Sequence, residues 1–341
     1  MTVAAGDTQE RPLEGHFACG NGLFIAIECI GHSYSTKTTT RDVSLSLPTL
    51  KQNWQEGRLD PPTWTYRHAR EANADIQDEK FDWGVTVGFH DEPDGSQAPD
   101  YARISRLRFE TTIATTRLAA DFFKVRAEAV RELESCWALT SSWISIFTRQ
   151  NSVTVGKAGS GMRVGSIVNW SGDNNYRVNV STDTSSPVLS AAGVDILDHQ
   201  TLTACLALAA RQTMPPLEWT FIRDARSLVT AKEYRRAAID ACTASELALT
   251  ALIDNKFDAD GIPAAARKAQ FDTHHGISKL TQLHRKVGAA GVLPTRLVQD
   301  VGALRNKAAH RGYDPTPTET ALAIQTATTV VELVSPLSGY R

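Results

Sequence analysis

The pattern of apolar residues changes its period once along this chain. Before about Asp195, apolar residues alternate with polar ones between turns rich in Gly, Asn, Asp and Ser, which is typical of strands. From about Asp195 onward they recur every three to four residues, as in helices, and Met214-Pro215-Pro216 interrupts this pattern. We therefore predict an α+β chain of two domains, a β-rich domain at 13–215 and a helical bundle at 216–336.

The β-rich part contains seven candidate strands and one long helix. We expect the strands to form an antiparallel sandwich or a curved sheet. The candidate strands are Leu23–Ile30, Val43–Leu47, Trp83–Phe89, Ile104–Thr115, Val153–Gly156, Arg163–Trp170 and Tyr176–Ser181. A helix is predicted from about Arg117 to Phe147, packed on the sheet through Phe122, Val125, Ala129, Leu133 and Trp137.

The charge of the chain differs modestly between its two parts. Residues 217–341 contain 16 Lys and Arg against 13 Asp and Glu, while residues 1–216 contain 20 against 25. The bundle is thus +3 and the front part −5, within an overall net charge of −2. This asymmetry suits an enzyme that contacts a few phosphates, but it excludes a domain that coats nucleic acid.

One helix near the C-terminus carries the residues that look most like chemistry. The apolar spacing predicts a helix from Leu297 to Ala309, and Gly312 supplies the left-handed residue that commonly ends a helix. Asn306 and His310 lie four residues apart on one face, with Arg305 one step around it. The three polar side chains are therefore predicted to share a patch at the helix C-terminus.

Such a patch suits metal-free cleavage of RNA, in which a ribose 2′-OH attacks the adjacent phosphorus. Histidine can act as acid or base near neutral pH, so His310 is the candidate proton shuttle. Arg305 can stabilise the phosphate through two parallel donors, and Asn306 can orient the imidazole or bind the phosphate. The alternative is that these residues only stabilise the helix end, where His and Arg interact favourably with the helix dipole.

The Arg-Asn-x-x-x-His motif at 305–310 resembles the signature of the HEPN superfamily (higher eukaryote and prokaryote nucleotide-binding). HEPN domains are four- or five-helix bundles with this signature late in the chain, followed by a glycine-containing turn and another helix. Here Gly312 lies in such a turn, and Thr316-Pro317-Thr318-Glu319 predicts a capping box that opens a helix ending near Val334. The resemblance covers residues 217–336.

A second helix of the bundle supports the resemblance. Residues 232–252 predict a long helix with one face of small and apolar side chains, formed by Ala238, Cys242, Ser245, Leu249 and Leu252. This helix is similar to the HEPN helix that packs against the signature helix. Glu246 lies beside that face, where family members often carry an acidic residue, although an ordinary surface charge is an equal alternative.

The resemblance implies a metal-independent endoribonuclease without a cofactor, with Arg305, Asn306 and His310 as catalytic residues and Glu246 in support. Family active sites are commonly composite, so the resemblance also implies a homodimer through the bundle. By analogy with toxins and antiphage effectors of the superfamily, the front domain is expected to sense a trigger and to bind a phage or antitoxin partner. The alternative is a non-catalytic nucleotide-binding, RNA-binding or dimerisation module.

Two other patterns are interpreted as structural. His16-x-x-Cys19 and Cys29-x-x-His32 offer four zinc ligands, but a predicted hairpin around Gly20-Asn21-Gly22 would set them too far apart, so no metal site is predicted. The five scattered cysteines are expected to be reduced and buried. The glycine-rich stretch 156–161 lacks the Gly-Lys-Ser/Thr ending of a phosphate-binding loop, and 91–100 is predicted to be a solvated turn.

The start of the chain predicts a flexible tail. Residues 1–12 are polar, without the basic and apolar regions of a secretory signal. No run of 18 apolar residues occurs anywhere in the sequence. The expected location is therefore the cytoplasm, with no membrane partner.

Overall fold

The computed structural model describes residues 9–50, 57–62, 82–115, 119–150, 165–168, 177–178 and 195–341. The N-terminal part of these is an antiparallel sheet and the C-terminal part is helical, so the chain is an α+β protein, as predicted. Two compact units are present, Met1–Ile144 with Ala158–Met214 and Ser145–Lys157 with Pro215–Arg341. The last of the boundaries between these units lies between Met214 and Pro215, where the prolines interrupt the sequence pattern.

The described part of the first unit contains one large antiparallel sheet and a separate pair of strands. Its strands are β1 (Gln9–Ala26), β2 (Ser33–Lys37), β3 (Asp42–Ser46), β4 (Thr49–Leu50), β5 (Leu59–Asp60), β6 (Gly84–Asp91), β7 (Gln97–Thr115), β8 (Gly165–Val168) and β9 (Arg177–Val178). Among the described strands, the order in the sheet is β2-β3-β7-β1-β8-β9, and β6 also pairs with β7. Strands β4 and β5 pair with each other separately.

The predicted hairpin around residues 20–22 is wrong. Strand β1 runs through this segment and pairs antiparallel with β7 on both sides of it, with a shift of register between Ala18 and Leu23. Gly22 has a φ of +88°, and a Cβ there would lie 2.9 Å from the Arg103 side chain. The glycine therefore permits a bulge, and pairing with β7 from Tyr101 to Thr115 replaces the local turn.

Several predicted boundaries also change. The strand predicted at Leu23–Ile30 ends at Ala26 and continues as a 3₁₀ turn over Ile27–Cys29. Gln9–Pro12 belongs to β1, so these four residues are strand and not tail. The stretch 91–100 is only partly a turn, because β6 ends at Asp91 and β7 begins at Gln97.

Three predictions of the sequence concern segments outside the described residues. These segments are the strand at 153–156, the glycine-rich stretch at 156–161 and the first eight residues.

Helix α1 (Ala119–Thr148) packs on the sheet, as predicted. The Trp137 ring stacks on Phe17 of β1 at a centroid distance of 5.3 Å, with the rings 5° from parallel. Phe17 in turn lies 4.7 Å from the ring of Phe109 on β7. Ala129 and Leu133 are also buried, whereas Val125, predicted to be buried, is only half-buried, and Phe122 lies outside the described side chains. The apolar spacing thus identified the face of α1 that covers the sheet.

Helix α2 (His199–Ala210) completes the described elements of the first unit. It starts at His199, four residues after Asp195, near which the sequence pattern becomes helical. The Asp198 carboxylate accepts a hydrogen bond of 2.7 Å from the Thr201 backbone N–H, which caps the helix.

The described part of the second unit is a bundle of six α-helices. They are α3 (Leu217–Thr230), α4 (Tyr234–Ala259), α5 (Ala264–Thr273), α6 (Gly276–Val287), α7 (Leu304–His310) and α8 (Pro317–Val334). Helix α4 is central, since it packs against each of the other five. Its buried side includes Ala237, Ala241, Ala244 and Ala248, whose small side chains let neighbouring helices approach closely.

Tryptophan 219 anchors the end of the bundle. This side chain is 1% exposed, and its indole N–H donates to the Ser335 carbonyl oxygen at 2.7 Å. The end of α8 is thereby tied to the start of α3.

All five cysteines are buried free thiols, as predicted. Within the described residues, no helix combines the length and the apolar character needed to cross a bilayer.

Candidate functional site

The helix that carries Arg305 and His310 begins with a wide π turn. Val298–Ala303 has π-helical hydrogen bonding, and α7 continues from it without a break in helical backbone angles. The predicted helix over 297–309 is therefore present, but its first half is not regular α-helix. Gly302 lies in the π turn against Ile277 of α6, because a Cβ at Gly302 would lie 3.3 Å from the Ile277 Cβ. Close packing between these two helices thus coincides with the π turn.

One face of this helix is buried and the opposite face carries the polar residues. The buried positions are the ones predicted from the apolar spacing, namely Leu297, Val301, Leu304 and Ala308. Asn306 and His310 are exposed, and Arg305 is half-buried. Packing of the apolar face against the bundle therefore fixes the helix while leaving the polar groups at the surface.

The three signature side chains contact one another. Nη1 of Arg305 lies 3.1 Å from Nε2 of His310 and 3.3 Å from Oδ1 of Asn306. Because a guanidinium can only donate, His310 accepts this hydrogen bond through an unprotonated Nε2. The geometry places a fixed cation directly beside a basic ring nitrogen.

These polar groups are not used to cap the helix. The hydrogen bonds described for the Arg305, Asn306 and His310 side chains join them to each other and not to main-chain carbonyls. In the last turn, the Lys307 carbonyl accepts from two backbone donors, the N–H groups of Arg311 and Tyr313, at 3.0 and 3.3 Å. Donors and an acceptor at the surface are thus available to a ligand.

The turn after the signature and the next helix match the sequence prediction. Gly312 has a φ of +65°, the left-handed conformation expected at a helix end. Thr316 Oγ1 accepts from the Glu319 backbone N–H at 3.2 Å, and Oε2 of Glu319 accepts from the Thr316 N–H at 2.9 Å. This reciprocal pair is the predicted capping box, and α8 extends from Pro317 to Val334.

Glu246 and Arg305 of the signature both act on one side chain, the Cys242 thiol. The thiol of Cys242 donates to Oε1 of Glu246 at 3.6 Å, and both residues are on α4. Burial and the charge of Glu246 raise the pKa of Cys242 to about 12, while Arg305 acts in the opposite direction. Arg305 and Glu246 therefore both lie within electrostatic reach of the same thiol.

The sequence did not predict the contacts of Tyr313, which follows the signature, with Glu319 and with Lys307, which lies within the signature. Tyr313 donates its hydroxyl to both carboxylate oxygens of Glu319, and Lys307 Nζ lies 5.8 Å from the centroid of the Tyr313 ring. No helical or strand spacing relates Tyr313 to Glu319, since the pair bridges a turn. The predicted capping box placed the Glu319 carboxylate at the start of α8, but it did not indicate Tyr313 as a partner.

His16, the first residue of the zinc-like pattern, lies in β1 and contacts an arginine and a tryptophan. Nη1 of Arg106 donates to Nε2 of His16 at 2.7 Å, and the His16 ring lies 5.9 Å from that of Trp83. Burial, together with Arg106, lowers the pKa of His16 to about 4. Within the described ranges, no three or more His, Cys, Asp or Glu side chains are grouped to hold a metal ion.

Comparisons of the chain with protein-family models, with curated proteins and with solved structures found no match.

Proposed function

We propose that this chain is a metal-independent endoribonuclease of the HEPN type, with its active site at Arg305, Asn306 and His310. The observation that carries the proposal is the 3.1 Å contact between Nη1 of Arg305 and Nε2 of His310 at the surface of the bundle. Cleavage of RNA through its own 2′-OH needs a proton acceptor beside a fixed positive charge. This contact supplies both from two residues.

The reaction follows from the chemistry of these groups. Arg305 binds the non-bridging oxygens of the scissile phosphate and stabilises the charge that builds on them. As Arg305 moves onto the phosphate it releases Nε2 of His310, and the 2′-OH proton passes to this nitrogen as the 2′-oxygen forms its bond to phosphorus. The bond from phosphorus to the 5′-oxygen breaks, and that oxygen takes up a proton. The products are a 2′,3′-cyclic phosphate and a 5′-hydroxyl.

Asn306 and a second copy of the chain complete the proposed site. The Asn306 amide oxygen holds Arg305 at 3.3 Å, which orients the guanidinium toward the histidine. A single neutral histidine accepts one proton but does not also supply the proton to the leaving oxygen. The equivalent histidine of a second copy, acting in its protonated imidazolium form, supplies that proton in a homodimer formed through the bundle, which makes the site composite. Glu246 supports the site electrostatically from α4.

The same proposal extends to the biological setting. The substrate is RNA in the cytoplasm, and cleavage stops growth, as in a toxin or an antiphage effector. The first unit, which is a separate compact unit with its own sheet, then serves as the sensor that binds a phage or antitoxin partner.

The test is incubation of the purified chain with end-labelled RNA in EDTA. We expect cleavage to persist, because the proposed acid, base and cation are side chains. The new ends should carry 2′,3′-cyclic phosphate, detected by their resistance to phosphatase until acid opens the ring. Activity that disappears in EDTA and returns with Mg²⁺ or Mn²⁺ refutes the mechanism. RNA binding without cleavage favours the non-catalytic module instead.

A further inference from the structure

Tyr313 lies three residues after His310, in the turn that ends the signature helix. Its backbone N–H donates to the Lys307 carbonyl oxygen at 3.3 Å, and Gly312 before it is left-handed. The tyrosine is nevertheless 37% exposed. A large aromatic ring is thus held at the surface, in the turn that directly follows the proposed catalytic pair along the chain.

The hydroxyl end of this ring is anchored to α8. It lies 2.9 Å from Oε2 and 3.1 Å from Oε1 of Glu319, the carboxylate that also forms the capping box with Thr316. Bonds from Thr316, and then from Tyr313, lower the pKa of Glu319, so the carboxylate remains a charged acceptor. The capping box therefore fixes the orientation of the Tyr313 ring as well as the start of α8.

Positive charge lies next to the ring. Lys307 Nζ lies over one face of the ring, 5.8 Å from its centroid, and Arg311, in the same turn, is exposed. A single-stranded nucleotide needs an aromatic surface for its base and a cation for its phosphate. Both lie together here, at the end of the helix that carries Arg305 and His310.

We infer that the face of the Tyr313 ring away from Lys307 stacks on a nucleobase next to the scissile phosphate, while Lys307 binds a phosphate of the same strand. This inference rests on the proposed ribonuclease activity and names how its site holds the substrate. A base can lie on the ring only when it is not paired within a duplex. The enzyme therefore selects RNA that is unpaired beside the cleaved bond.

The experiment compares Tyr313→Leu, which removes the aromatic ring, with Tyr313→Phe, which keeps the ring and loses only the hydroxyl. Phe89→Leu is the matched control, because Phe89 is an aromatic residue of the first unit that is 43% exposed. Binding of a fluorescent single-stranded RNA is measured by anisotropy, and cleavage is measured under single-turnover conditions. We expect Tyr313→Leu to weaken binding roughly ten- to hundred-fold, Tyr313→Phe only a few-fold, and Phe89→Leu not at all.

A second arm uses RNA oligonucleotides in which each base in turn is replaced by an abasic residue. At one position, the abasic residue should weaken binding to the parent protein as much as Tyr313→Leu weakens binding of the intact RNA. The Tyr313→Leu variant should bind that abasic RNA no more weakly than it binds the intact RNA. This arm tests the parent protein directly, so it decides the matter even if Tyr313→Leu lowers the melting temperature.

The outcomes separate this inference from the proposed function. Stacking is overturned if Tyr313→Leu binds and cleaves like the parent, or if its loss persists on every abasic RNA. If the parent binds RNA through Tyr313 but never cleaves it, the stacking site stands and the nuclease proposal fails. If the parent neither binds nor cleaves RNA, both are overturned.

Discussion

Replacement of His310 by alanine separates catalysis from stability. The side chain is exposed and makes one described hydrogen bond, the 3.1 Å contact with Arg305. A surface hydrogen bond of this kind stabilises a fold by about 0.5 to 1.5 kcal/mol. Loss of the proton acceptor should slow cleavage about 10²- to 10⁴-fold, which raises the activation free energy by about 3 to 5 kcal/mol. The catalytic effect should therefore exceed the effect on stability.

The assay for His310→Ala combines single-turnover cleavage of labelled RNA in EDTA with urea unfolding of the same preparation. His32→Ala is the control, because His32 is an exposed histidine of the first unit. We expect the control to cleave at the parent rate and both variants to unfold near the parent midpoint. If His310→Ala cleaves as fast as the parent, or if it unfolds, the residue is architectural and our reasoning about the signature is wrong.

Three further predictions concern charge, assembly and pH. Arg305→Lys keeps the positive charge but loses the planar pair of donors, so cleavage should fall at least tenfold in the same assay, and an unchanged rate would contradict the role of the guanidinium. Light scattering at micromolar concentration should give the mass of a dimer, whereas a strict monomer would exclude a composite site. Burial and the charge of Asp224 raise the pKa of Asp240 to about 6, so its ionisation destabilises the fold as pH rises from about 4 to above 6. Asp240→Asn should therefore raise the free energy of unfolding by roughly 1 kcal/mol at pH 7.5, after allowance for solvent screening, and not at pH 4; equal urea midpoints at pH 7.5 would refute this.

The sequence predicted best where a signal is local. The capping box at Thr316 depends on residues within one turn, and both of its hydrogen bonds are present. The buried face of the signature helix follows from apolar spacing alone, as does the face of α1 around Leu133. In these cases neighbouring positions along a helix decide the structure, and distant residues only supply the surface on which the helix packs.

Prediction failed where a distant partner decides the structure. Gly20-Asn21-Gly22 carries the composition of a tight turn, but the pairing of β1 with β7 brings together residues 75 (Ala26 and Tyr101) to 106 (Gln9 and Thr115) positions apart, and no local pattern shows this. The contact of Tyr313 with Glu319 depends on the path of a turn between two helices. Likewise, the π turn at Val298–Ala303 coincides with the close packing of Gly302 on α6, which the spacing of apolar residues does not reveal.

That π turn gives the segment a role that depends on its length. A π turn accommodates about one more residue than an α-helical turn, and each residue of an α-helix advances the chain by about 100° around the axis. If Val298–Ala303 became regular α-helix with the same number of residues, Arg305 and His310 would rotate by about a quarter of a revolution relative to Leu297. Deletion of one residue would remove the extra residue of the π turn, so the segment could become regular α-helix while the arginine and histidine keep their direction.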